Sequence, residues 1–178
     1  MDLKLIYGNM RALCEAPQMM LHYADIPYEY KMVWDHYGSS WAEVKKDIIF
    51  NRLPILIINE DKYLWQSNTI IRYLSNLTKT KPSDEFQLAY CDAVFESTHE
   101  MFSPLNPTIN MTFGEKYNSN KKKLLEDILP NSLNNFEKLN NIKNYLDGRP
   151  ELVELGKSPH FLIDGKKIPT GLNPNKKY

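Results

Sequence analysis

The chain has 178 residues, enough for one large domain or two small ones with a core that needs no disulfide support. Lys plus Arg and Asp plus Glu stand at 22 each, so the formal charge is zero and no global field favours nucleic acid or an anionic membrane. Met1-Asp2-Leu3-Lys4-Leu5-Ile6-Tyr7 enters a strand-like run without the apolar stretch of a signal peptide, and nothing later reaches the length of a membrane span; a cytosolic protein without nucleic-acid or membrane partners is expected.

Leu3 to Tyr7 reads as a first strand, broken by Gly8-Asn9. A helix is predicted from about Ala12 to Ala24, where Leu13, Pro17, Met20, Leu21 and Ala24 keep a helical period. Tyr28 to Val33 alternates and reads as a second strand; Asp35 to Ser40 is expected to be a loop. Ser40 then caps a short helix over Trp41 to Ile49, with Glu43 placed for a capping box. Leu53-Pro54-Ile55-Leu56-Ile57-Ile58 sets four branched aliphatics behind a proline, the pattern of a strand buried on both faces, and Asn59-Glu60-Asp61 turns it into a partner strand, Lys62 to Trp65. Ser67 suits a helix N-cap, with Ile70, Ile71, Leu74 and Leu77 as the apolar face behind it. A helix starting there points free N–H groups and a positive dipole end at an anion, and Gln66 and Ser67 stand at that mouth.

This order, β-α-β, a short helix, then β-β-α, resembles the thioredoxin-like fold. A proline opening the third strand belongs to that pattern and is typically cis. With its ring turned aside, the N–H and C=O of Leu53 are left at a sheet edge, open to an extended peptide-like ligand. Thr78 to Ser83 is a polar linker, with Ser83 as cap of a helix from Asp84 to about Phe102. A further helix runs from about Ser119 to Leu139 with a kink at Pro130, and a last short one from Asn141 to Asp147 ends at Gly148-Arg149-Pro150. Phe161 to Pro169 forms a small hairpin with an Asp-Gly turn, or else a loosely attached tail. Glu96, His99 and Glu100 share a helix face, but without a second ligand set they read as solvated, and no metal is expected. Cys14 and Cys91 form no paired motif and are expected to be buried or half-buried; Cys14, near a helix start, keeps a thiol-disulfide role open.

Leu5-Ile6-Tyr7-Gly8-Asn9-Met10-Arg11-Ala12-Leu13-Cys14-Glu15, Ile26-Pro27-Tyr28-Glu29, Leu53-Pro54-Ile55-Leu56 and Gln66-Ser67-Asn68-Thr69-Ile70-Ile71-Arg72-Tyr73-Leu74 together resemble the cytosolic glutathione S-transferases. Within them the chain is most similar to the sigma class, which includes glutathione-dependent prostaglandin D synthases. The resemblance implies that Tyr7 is the catalytic tyrosine, its hydroxyl donating to the glutathione sulfur and favouring thiolate over a thiol whose pKa otherwise sits near about 8.5 to 9. It places Leu53 against the cysteinyl backbone, Gln66 and Ser67 on the γ-glutamyl carboxylate, and Trp41 and Lys45 at the glycyl end. Glu100 falls where such proteins carry an acidic residue, usually Asp, that reaches across a homodimer to the glutathione amino group.

The chain departs from that pattern at Gly8, where an aromatic residue is usual, and at Leu13, where an arginine tunes the thiolate site. After Leu139 it passes almost directly to a segment resembling the family's final helix, so one or more helices of the usual electrophile wall are missing. The expected organisation is a thioredoxin-like glutathione-binding domain over 1–78, an abbreviated helical domain over 79–150 and a tail over 151–178. The expected activity is conjugation of glutathione, as co-substrate, to a small electrophile. A glutathione-dependent isomerase or a non-catalytic glutathione-binding protein is the alternative.

Overall fold

The computed structural model describes residues 1–10, 12–104 and 112–139, together with the backbone of strands 160–163 and 166–169. Four strands form a mixed sheet in the order β2-β1-β3-β4: β1 is Leu3–Tyr7, β2 Glu29–Met32, β3 Ile55–Ile58 and β4 Lys62–Trp65. β1 runs parallel to β2 and antiparallel to β3, and β3 antiparallel to β4. This is the thioredoxin-like arrangement, and the peptide bond between Leu53 and Pro54 is cis.

The period of two in the central strands sorts their side chains between two apolar layers. Leu3, Leu5 and Tyr7 of β1 and Leu56 and Ile58 of β3 meet Cys14, Leu21, Ile70 and Leu74. These come from helix α1 (Glu15–Tyr23), preceded by a 3₁₀ turn over Ala12–Cys14, and from helix α4 (Ser67–Leu77). Ile6, Ile55 and Ile57 face the other way, onto Val33 and Ile48 with Trp41, Val44 and Trp65 around them. Burying each such aliphatic side chain stabilises by about 1.5–3 kcal/mol, which is why this run dictates its own pairing. Lys4 is buried among them and is neutralised by Glu60 at 2.8 Å and Glu29 at 3.6 Å.

Two short helices interrupt the crossing between β2 and β3. α2, Val33–Tyr37, occupies part of the stretch expected as a loop: Val33 is buried and anchors the turn, and Gly38 ends it in the left-handed conformation at φ 66°. α3, Trp41–Val44, carries the expected capping box between Ser40 and Glu43 and continues as 3₁₀ turns over Lys45–Asp47 and Ile49–Asn51.

The chain divides by its contacts into two units, Met1–Lys81 with the C-terminal hairpin, and Pro82–Val153. In the second unit α5 spans Glu85–Phe102; its cap is Asp84, which accepts from the Gln87 N–H at 2.8 Å, rather than Ser83. α6 begins at Gly114, earlier than the apolar spacing indicates, and runs to Lys123. A π turn over Leu124–Ile128 then leads into α7, Leu129–Glu137. The wider turn absorbs what Pro130, lacking an N–H, cannot supply, so the expected kink takes this form. The helix expected over Asn141 to Asp147 lies outside the described residues. The hairpin strands β5, His160–Ile163, and β6, Lys166–Pro169, pair antiparallel, and β6 lies beside α1.

Candidate functional site

The ladder registers bring three separated segments to one edge of the sheet. Ile6 pairs with Ile55, so the end of β1 at Tyr7 lies where β3 begins, at Leu53-Pro54. Ile55 in turn pairs with Trp65, so β4 ends at the same edge and hands the chain to Gln66-Ser67. Tyr7, Leu53, Gln66 and Ser67 therefore converge through backbone pairing alone.

Tyr7 lies on the layer shared with α1 and α4 and is 7 % exposed. Its Oη accepts a hydrogen bond from the Leu13 N–H at 3.4 Å. Burial pushes the phenol above its ordinary pKa, and the Leu13 N–H pulls in the opposite direction by favouring the oxygen's negative charge. Leu13 thus meets Tyr7 through its backbone, at the position where the pattern this chain departs from has an arginine; its own side chain is 39 % exposed.

Leu53 packs against both apolar layers, and its N–H and C=O make no backbone hydrogen bond among the described residues. Ser67 is the first residue inside α4, not its cap: the cap is Gln66, held at φ 69° and ψ 121°, with no side-chain capping bond. Such a conformation is costly for a residue with a Cβ and is held here between a strand end and a helix start. The first bond of the helix runs from the Ile70 N–H to the Gln66 carbonyl at 3.0 Å, which leaves the Ser67 amide ahead of the ladder. Ser67 is buried, its Oγ donating to Asn68 Oδ1 at 3.4 Å, while Gln66 is exposed. A buried hydroxyl and the positive end of an eleven-residue helix both suit a carboxylate.

Trp41 is half-buried against the layer of Ile6, Ile55 and Ile57, and Lys45, one turn on, donates its backbone N–H to the Trp41 carbonyl while its side chain is exposed. The capping box fixes this turn: Glu43 accepts from the Ser39 and Ser40 hydroxyls and from the Ser40 N–H at 3.0 Å, which lowers its carboxyl to about 2.

Glu100 belongs to the other unit. It is exposed on α5 and lines a groove of about 340 Å³ between α5 and α7 with Tyr90, Val94, Met101 and Phe136. Among the described residues no three His, Cys, Asp or Glu side chains cluster as a metal site. Cys14 is fully buried and its thiol pKa is raised by desolvation, which disfavours the thiolate that thiol-disulfide exchange requires. Cys91 is exposed on α5, contrary to the expectation of two covered thiols. One residue bearing on the site escaped the sequence reading. Tyr30, on the same layer as Tyr7, donates its Oη to the Gly8 carbonyl at 2.7 Å; its place in the alternating run Tyr28 to Val33 was the available signal.

A four-stranded sheet of this order, with helices packed on it and a helix beginning at the edge where β4 ends, defines a thioredoxin-like domain. Comparison with known proteins narrows this. Residues 1–76 match the family Glutathione S-transferase, N-terminal domain. The chain is 27% identical to a glutathione S-transferase P of Caenorhabditis elegans over 181 aligned residues, covering 98% of this chain and 80% of the relative. It is 32% identical over 102 residues to the hematopoietic prostaglandin D synthase of Rattus norvegicus, a match covering 56% of this chain and about half, 48%, of that protein. The solved Pi-class glutathione S-transferase of Onchocerca volvulus superposes with a TM-score of 0.65 at 27% identity, covering 78% of this chain and 63% of that one. The match to that family model spans residues 1–76 of the 178 in the chain.

Proposed function

We propose that this protein is a glutathione S-transferase that conjugates the glutathione thiolate to small electrophiles. The reading rests on one observation above the others: the strand registers set Tyr7, Leu53 and Gln66-Ser67 at one sheet edge. In this reading the Leu53 backbone pairs with the cysteinyl unit, Gln66 and Ser67 hold the γ-glutamyl carboxylate at the start of α4, and Trp41 and Lys45 meet the glycyl end. The Tyr7 hydroxyl donates to the sulfur, so the thiol gives its proton to solvent at neutral pH. The thiolate pair then forms the carbon–sulfur bond as the leaving group departs with the electrons of the bond it breaks. Domain limits of 1–78 and 79–150, a cytosolic homodimer and a reach of Glu100 to the partner's glutathione belong to the same proposal.

The similarity to a prostaglandin D synthase supports a second reading, glutathione-dependent isomerisation, which uses the same thiolate. Retention on immobilised glutathione followed by an aryl-halide conjugation assay tests the first. Wild type should be retained and turn over, and Tyr7→Phe should lose about 10- to 100-fold in kcat/KM, the worth of one hydrogen bond to a charged group. Undiminished conjugation by Tyr7→Phe would refute the role given to Tyr7. Retention without turnover points instead to a glutathione-binding protein or to the isomerase.

A further inference from the structure

We infer that Tyr30 is a positioning residue for Tyr7, fixing the Gly8 backbone beside it and so the placement of the Tyr7 hydroxyl against the Leu13 N–H. The inference rests on the reading of Tyr7 as the donor to the glutathione sulfur. Two hydrogen bonds bear on Tyr7 from either side. The Tyr30 Oη donates to the carbonyl of Gly8, immediately after Tyr7, at 2.7 Å. The Leu13 N–H donates to Tyr7 Oη at 3.4 Å.

Gly8 is buried, so without the Tyr30 hydroxyl its carbonyl is left unpaired in a covered position or the chain moves to rehydrate it. Movement there is transmitted directly, because Gly8 follows Tyr7. The residue before Leu13 is tightly specified as well, with Ala12 held at φ 34°, a left-handed value costly for any residue with a Cβ. Tyr30 packs on the same layer as Tyr7 and Cys14, and its phenol pKa is raised by burial first and by those neighbours next, so it stays a neutral donor across the working range. The consequence is electrostatic. A donor on Tyr7 Oη polarises its O–H and makes it a stronger donor to a thiolate; the Leu13 N–H counteracts the burial that otherwise weakens the phenol as an acid.

The test is the pH profile of kcat/KM for glutathione conjugation by wild type, Tyr30→Phe and Tyr7→Phe. Tyr30→Phe keeps the ring and removes only the hydroxyl. It should lose about three- to tenfold at neutral pH, the worth of a neutral hydrogen bond, while its alkaline limit rejoins wild type because the thiol then ionises unaided. A Tyr30→Phe profile coincident with wild type, or lowered by one factor at every pH, would overturn the inference. Coincidence of Tyr7→Phe with wild type would instead remove the reading beneath it. Hydrogen exchange of the Leu13 amide gives a check that needs neither glutathione nor a variant that folds. Protection is expected in the wild type, and exchange at the rate of an open chain would contradict the Leu13–Tyr7 hydrogen bond on which the inference rests.

Discussion

The sheet unit and the helical unit differ sharply in what they bury. In Met1–Lys81 all four residues of β3 are covered on both faces, and Leu3, Leu5, Ile6, Leu21, Ile70 and Leu74 are wholly inaccessible. Among the described residues of Pro82–Val153, only Leu124 is buried, while Phe86 at 78 %, Phe113 at 84 % and Leu133 at 51 % stand open. The first unit therefore specifies its own structure by long-range packing. The described helices of the second rest more on local devices, such as the Asp84 cap and the π turn ahead of Pro130. The proposed glutathione contacts concentrate where the packing is strong, at an edge fixed by the sheet ladder, whereas Glu100 lies where it is weak.

This contrast can be broken by substitution. Leu56→Ala removes a side chain with no exposure from the sheet core and should cost about 2–5 kcal/mol in urea unfolding. Leu124→Ala empties the one buried apolar position described in the helical unit, whose surroundings collapse more readily, and should fall near the low end, about 2 kcal/mol. Leu133→Ala should stay within about 0.5 kcal/mol. A Leu133→Ala loss as large as that of Leu56→Ala would mean that the helices have a core after all.

The smallest effect expected is acid sensitivity at the capping box. The Glu43 carboxyl is lowered from 4.5 to about 2 by the Ser39 and Ser40 hydroxyls and the Ser40 N–H. Its folded pKa lies below its unfolded one, so the stabilisation is fully present above about pH 4.5 and is lost as the pH falls toward 2. Fluorescence of Trp41, isolated by subtracting a Trp41→Phe control, should change across that window in wild type and stay flat in Glu43→Gln.

Burial explains what was legible in the sequence. Ile55 to Ile58 announces itself because four branched aliphatics in a row have nowhere to go but inside a sheet, whereas the roles of Tyr7, Leu53 and Gln66-Ser67 came from the resemblance to glutathione S-transferases rather than from any pattern of burial. Asp35 to Tyr37 read as a loop because its polar residues conceal that the preceding Val33 is buried and can anchor a helical turn. Ser67 read as a cap because its residue type favours that place. The position instead falls to Gln66, whose unusual dihedrals are imposed by the junction of strand and helix and leave no mark in composition. Tyr30 was missed for a similar reason: its partner is a backbone carbonyl from a distant strand end, which no side-chain motif announces. The start of α6 at Gly114 was hidden because its first turns carry almost no apolar residues.

The central claim is that the edge formed by Tyr7, Leu53 and Gln66-Ser67 holds glutathione, and calorimetric titration of glutathione into wild type and Ser67→Ala tests it most directly. Saturable binding to wild type is predicted, weakened about tenfold or more in Ser67→Ala by loss of a hydroxyl hydrogen bond to a charged carboxylate. No binding to wild type, or equal binding to both proteins, would contradict it.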